Sequence, residues 1–360
     1  MSQKNGVSLK KAFSKAAAFG ASLLLMTGVV GSASADYNAC SYDPYCPVDC
    51  CEMPDYVLYA DFIYWQVNPE GLEFARNGGI GDAQTAVETR GSIISPKCEF
   101  DPGFRVGGVV DLKCSNWDFF AQYTYLCSSS SESLEDDSEN PVLVPLIHTV
   151  GGMGAINAAS GKWNSDLNVL DFGLGRTFEV NRCFDFRPHL GFKATWQNLD
   201  FDVRYERLVG EITTVYQTHN RINFDGIGLR GGFDAAWRFS PCFSILGGFA
   251  ASAVYSDLCI TREDFNSPTI LNASNNKNLN LRKDICVLVP VMELLLGLRW
   301  DSRVCNCYDV FVFVGWENQV WWDLNRFIMV GDSDDNNNIH FGPKGNLTYQ
   351  GLTLRAGVGF

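Results

Sequence analysis

From Phe184 to Gln197 the chain alternates for fourteen residues without a break. Phe184, Phe186, Leu190, Phe192, Ala194 and Trp196 fall on one side, with Pro188 in the same register. Asp185, Arg187, His189, Lys193, Thr195 and Gln197 fall on the other. A period of two is the signature of a strand, whose successive side chains point to opposite faces. Strands of soluble proteins usually end after about five or six residues. A strand this long, apolar on one face and charged on the other, is what a bilayer demands of a β-structure: lipid outside, polar lumen inside, and every backbone group paired in a closed sheet.

The pattern recurs along the chain. Phe104, Val106, Val110 and Leu112 oppose Arg105 and Asp111, and Trp117, Phe119, Ala121, Tyr123 and Tyr125 oppose Asp118, Gln122 and Thr124. Leu170, Phe172, Leu174 and Phe178 oppose Asp171 and Thr177, and Ile227, Leu229, Phe233, Ala235 and Trp237 oppose Arg230, Asp234 and Arg238. Met292, Leu294, Leu296, Leu298 and Trp300 oppose Glu293, Arg299 and Asp301. Segments 56–67, 243–256 and 308–322 are strand-like with aromatics on both faces. The chain closes on Leu352, Leu354, Ala356, Val358 and Phe360, alternating with Thr353, Arg355 and two glycines. Ten strands are assignable, and the expectation is an all-β, closed antiparallel transmembrane barrel of 10–16 strands over residues 55–360. Hairpins within Leu199 to Gln217 are where further strands would arise.

Short connections fall near 113–116, 181–183, 240–242 and 302–307, and long ones over 68–102, 128–163, 199–222, 257–284 and 323–347. Starting from a periplasmic N-terminus, the alternation of strand directions puts every short turn inside and every long loop outside. That is the asymmetry of bacterial barrels.

Composition agrees. Charged residues make up 19% of the chain and aromatics 13%. A soluble domain carries closer to a quarter charged residues. The one apolar run after the N-terminus, Ile285 to Trp300, is interrupted by Pro290, Glu293 and Arg299 and does not read as a spanning helix. A formal net charge of −13 leaves no basic patch to meet phosphate, so nucleic acid is not an expected partner.

Residues 1–35 read as a secretory signal. Lys4, Lys10, Lys11 and Lys15 precede an apolar stretch from Ala16 to Val30, and Ala33-Ser34-Ala35 supplies the small residues of a cleavage site. Residues 36–54 form a cysteine-rich periplasmic segment.

Several motifs resemble a family of pore-forming outer-membrane proteins first described in Legionella, which has chlamydia-like members. They are Tyr59-Ala-Asp-Phe-Ile-Tyr-Trp65 with Gly71-Leu-Glu-Phe-Ala75, Asp101-Pro-Gly-Phe-Arg-Val-Gly107, Trp117-Asp-Phe-Phe-Ala-Gln-Tyr-Thr-Tyr125 and Tyr349-Gln-Gly-Leu-Thr-Leu354. The resemblance covers about residues 56 to 360, and its strength is the order of the motifs. It implies a porin of the bacterial outer membrane, with no catalytic residues and no cofactor. The terminal Phe360 likewise resembles the assembly signal of such barrels, which makes outer-membrane lipid and the barrel-assembly machinery expected partners.

Thirteen cysteines set the chain apart and resemble those of the cysteine-rich major outer-membrane proteins of chlamydial envelopes. An exported chain meets an oxidising compartment, where disulfides persist. Cys40, Cys46, Cys50 and Cys51 precede the first strand, and Cys114, Cys183, Cys242, Cys305 and Cys307 lie in the short turns. These nine share the periplasmic end and are the disulfide candidates, with bonds between residues 40–51 and the rim and at least one bond to another chain or envelope protein. Cys98, Cys127, Cys259 and Cys286 face the long loops. The spacings do not match zinc clusters, and no metal is expected. Asp332 to Asn336 begins like a calcium loop but has Asn337 and Pro343 where glycine and glutamate belong.

His148, His189, His219 and His340 are scattered, with no linked nucleophile, so an enzyme is not expected. Candidate pore-lining residues are the polar strand faces. Arg105, Arg187, Lys193, Arg230, Arg238, Arg299 and Arg355 stand against Asp111, Asp118, Asp171, Asp185, Asp234, Glu293 and Glu317, with His189 beside them. This balance places the acidic excess in loops and turns. The family resemblance is what implies a diffusion pore for small hydrophilic solutes. A plugged barrel serving as a cross-linked envelope protein or an adhesin is the alternative, because about eight strands are filled by side chains whereas sixteen hold a channel.

Overall fold

The structure is a computed structural model; it describes residues 56–78, 91–112, 116–136, 143–147, 155–210, 212–268, 276–304, 308–331, 339–341 and 344–360. The expected signal, the cysteine-rich segment and the acidic run at 332–336 lie outside these residues.

Ten strands make the barrel. They are β1 (Tyr56–Pro69), β2 (Phe100–Leu112), β3 (Trp117–Glu135), β4 (Ala158–Arg176), β5 (Phe184–Val209), β6 (Ile212–Ser240), β7 (Phe243–Pro268), β8 (Asn276–Val304), β9 (Tyr308–Asn325) and β10 (Gly345–Gly359). Each pairs antiparallel with its neighbours in sequence, and β1 also pairs with β10, from Val57↔Gly359 to Pro69↔Leu347, so the sheet closes. Phe360 completes the seam, its backbone N–H and C=O bonded to Tyr56 at 2.9 and 3.0 Å. All ten expected strands are present. The structure corrects the long loops, however. Much of 128–163, 199–222 and 257–284 is strand, and β5 and β6 meet at a tight hairpin through Gly210, whose φ of +65° suits a residue without Cβ. Leu199 to Gln217 lengthens two strands and adds none.

These long strands change parity partway up. On β5 the inward residues run Asp185, Arg187, His189, Gly191, Lys193, Thr195, Gln197 and then Leu199, Phe201, Val203, Tyr205. The outward ones run from Phe184 to Trp196 as an apolar band, then Asn198, Asp200, Asp202, Arg204, Glu206. The pleat is unbroken; only the chemistry has exchanged faces. β6 switches between Ile227 and Asp225, and β4 between Leu170 and Asn168. Below the switch the wall is dressed for lipid. Above it, the barrel has the polar exterior and apolar interior of a soluble protein.

That upper interior is a core. Trp163, Phe201, Tyr205, Phe224, Trp321 and Tyr349 are buried in it from the wall. Leu324 joins from the end of β9, and Leu72, Phe74, Leu143, Ile147 and Phe327 from connecting segments. Two of those segments belong to a small sheet of their own, in which Ala75–Gly78 pairs with Gly91–Ile94 and with Leu143–Pro145.

Candidate functional site: the charged lumen

Below the apolar core the lumen is lined by the charges that alternation put on the polar faces. Fourteen of the fifteen predicted pore-lining residues make polar or ion-pair contacts, and the pairs reach across the barrel. The Arg105 guanidinium on β2 grips Glu317 of β9 at 2.9 and 3.0 Å, and also donates to Asp61 at 3.3 Å and Thr124 at 2.9 Å. Arg355 donates to Asp61 at 2.7 and 2.9 Å while lying over the Tyr59 ring at 4.2 Å. Lys193 bridges Asp171 at 2.8 Å and Glu293 at 2.6 Å, and Arg230 meets Glu293 at 2.8 Å and stands 3.5 Å from His189. Arg187 donates to Asp118 and, at 2.8 Å, to Asp234. Nearer the short turns Arg238 pairs with Asp185, and Arg299 with Asp301 at 2.6 Å. Asp111 has the inward register of Arg105 and lies opposite Asp118 in the ladder.

A second line of contacts ties the clusters together. Tyr59 donates to Gln122 at 3.0 Å, and Gln122 donates to Asp171, also at 3.0 Å. A cavity of about 150 Å³ remains among Tyr59, Gln122, His189, Arg230, Asp234 and Glu317. Immediately above, Tyr349 donates to Gln197 at 3.2 Å. These two residues sit on β10 and β5, five strands apart in either direction around a ten-strand ring. That bond spans the diameter and closes the lumen at its level.

Taking so many charges out of water is tolerable because they are paired; removing one partner of a buried pair costs about 3–5 kcal/mol. Asp61 was missed in the sequence because β1 shows aromatics on both faces, and Glu317 was read less clearly for the same reason. Their signal is register: Asp61 lies opposite Arg105 on β2 and opposite Arg355 on β10. Arg262 and Asp264, paired at 2.9 Å inside the upper core, were also missed, in a stretch read as loop.

On the outer wall His219 hydrogen-bonds Asp202 at 2.7 Å, and this bond holds the imidazole pKa above its usual range. Of the cysteines, Cys183 and Cys242 are each engaged in a disulfide, whereas Cys98, Cys127, Cys259 and Cys286 are free thiols near the lipid–water boundary. Burial, seconded by Asp284, raises the Cys259 thiol pKa. The other seven lie outside the described residues. Among the described residues no group of three or more histidine, cysteine or acidic side chains is arranged to hold a metal.

The family model described as the Legionella pneumophila major outer membrane protein precursor matches residues 47–356. The chain belongs to this family. It is therefore an outer-membrane β-barrel protein of bacteria, as its lipid band and polar lumen require. No curated protein matches the sequence. Among solved structures, this family member is similar to the outer membrane protease OmpT of Escherichia coli, at 13% identity over 85% of this chain and 96% of that one, with a TM-score of 0.38. It is also similar to a major outer membrane protein of Thermus thermophilus, at 13% identity over 82% and 98%, with a TM-score of 0.28. A FadL homologue of Pseudomonas aeruginosa matches at 8% identity over 84% and 89%, with a TM-score of 0.24.

Proposed function

We propose that this family member is a narrow, gated pore for small hydrophilic solutes, and that the state described is its closed one. The supporting observation is the division of the lumen. Its membrane half is walled by paired charges around a polar cavity, which suits water and small solutes. The outer seal is completed by Leu72, Phe74, Leu143, Ile147 and Phe327, which connecting segments contribute and which lie outside the barrel ladder. Such residues can leave without opening the sheet. Ten strands fall between barrels filled by side chains and those holding a wide channel, which suits a bore that opens only when its filling moves.

The hydrogen bond across the diameter between Tyr349 and Gln197 favours a second reading, a permanently sealed envelope barrel. Planar-bilayer recording separates the two. Refolded protein is expected to give small, intermittent conductance steps. Silence at every voltage, from protein whose heat-modifiable mobility shows a folded barrel, would overturn the pore and leave the sealed barrel.

A further inference from the structure

Gly161 lies inside β4, where a glycine weakens a strand unless something must come close to the backbone. That something is a ring. A Cβ on Gly161 would meet Phe74 carbons at 2.6 and 2.7 Å, far inside contact distance. Phe74 is fully buried and comes from the segment after β1, not from the barrel wall. Its backbone carbonyl accepts a hydrogen bond from the Tyr205 hydroxyl of β5. The same hydroxyl accepts from the Ile147 N–H at 3.3 Å, and Thr218 of β6 reaches the Ile147 carbonyl at 3.5 Å. One notch and two buried wall hydroxyls thus hold two segments that are hydrogen-bonded to each other, Ala75 with Pro145 and Asn77 with Leu143. On the adjoining strand β7 the buried Arg262, fixed by Asp264, which lies opposite Thr218 in the ladder, donates at 2.9 Å to the Ile328 carbonyl beside Phe327.

We infer that residues 72–78, 91–94 and 143–147 form a sealing unit that docks as one body in a seat made by Gly161, Tyr205 and Thr218, and that Arg262 latches the neighbouring segment 324–328 over it. The unit has its own sheet, so its internal bonds survive when it leaves. Release breaks no barrel ladder: it breaks the hydrogen bonds of the seat and the Leu143–Ile156 bridge, and withdraws Leu72, Phe74, Leu143 and Ile147 from the upper core. This is the structural basis for local opening well below the free energy of global unfolding. As a gate it rests on the pore reading of the preceding section; as a separately docked unit it does not.

The test uses the full refolded protein and two variants. Gly161→Val puts a residue well suited to a strand into the wall but fills the notch. Arg262→Leu with Asp264→Leu removes the latch together with the carboxylate that fixes it, and replacing both members of a buried pair is often neutral for the surrounding fold. Amide exchange is followed in 72–78, 143–147 and 324–328, with the lipid-banded part of β6, residues 227–237, as the internal reference, and conductance is recorded on the same samples. Gly161→Val is expected to accelerate exchange in 72–78 and 143–147 by about tenfold or more, the factor given by each 1.4 kcal/mol of lost docking, with the β6 reference unchanged and conductance raised. The double variant is expected to do the same at 324–328. Faster exchange with no conductance would keep the docked unit and overturn the pore. Unchanged exchange in folded protein, or equal acceleration in the β6 reference, would overturn the docked unit. Should Gly161→Val fail to fold, Gly161→Ala meets the same ring and is read in the same way.

Discussion

Replacing Leu190 with arginine tests where the membrane sits. Leu190 is 56% exposed on the outer wall and lies midway between Phe184 and Trp196, the ends of the apolar band on β5. Those ends are twelve residue steps apart, about 40 Å along a strand at about 3.3 Å per residue. A tilt of about 40° brings this to about 30 Å along the bilayer normal, the thickness of a hydrocarbon core. Leu190 therefore stands near the midplane. Arginine on the lipid face there costs about 2–4 kcal/mol, falling to about 0–1 near the interfaces. Asn198, the first polar residue above the band, serves as the control, and Asn198→Arg should fall in the lower range. Reversible urea unfolding in lipid vesicles, followed by tryptophan fluorescence, gives both values. Equal costs at the two positions, or a larger one at Asn198, would refute the assignment of Phe184–Trp196 to lipid and with it the parity switch.

Phe201→Ala should destabilise the barrel by about 3–5 kcal/mol, the usual loss for emptying a buried aromatic site, in the same unfolding assay; a loss below about 1 kcal/mol would show that the upper interior is not packed. His219 should titrate above the roughly 6.5 of a free imidazole, and Asp202→Asn should bring its NMR midpoint back down. Because the folded pKa is the raised one, the pair's small contribution is complete below the unfolded pKa and disappears as pH rises through the folded value. Deleting Phe360 removes both backbone bonds to Tyr56 and the ring stack at 5.8 Å, so the seam of the barrel loses its last rung; the amount reaching the heat-modifiable form should drop sharply, and normal levels would show the residue to be dispensable.

The membrane half of the fold was legible because two demands coincide there. Lipid asks for apolar residues on one face and the lumen asks for polar ones on the other, so each strand announces itself by alternation. Phe184–Gln197 gave away an entire strand face, and Arg105, Arg187 and Lys193 could be put in the lumen without knowing their partners. The outer half obeys the same period in the opposite sense. Leu199, Phe201, Val203 and Tyr205 oppose Asp200, Asp202 and Arg204 as regularly as the residues before them. Their polar members look like loop when lipid exposure is the criterion, which is how strand was read as connection. Pairings such as Arg105 with Glu317 depend on which strands face each other across the lumen, and no local pattern carries that. The seat for Phe74 shows only as a glycine amid alternation at position 161, a mark with many other causes.

The parity switch also governs what this protein can show to its surroundings. Above the lipid the wall of β5 continues for about eleven residues, roughly 30 Å of height at the same rise and tilt. Over that height the surface is a paired sheet, and every second side chain is committed to the interior. Sequence drift along this extension is therefore free only at alternate residues of each strand, because the ones between them hold the core together.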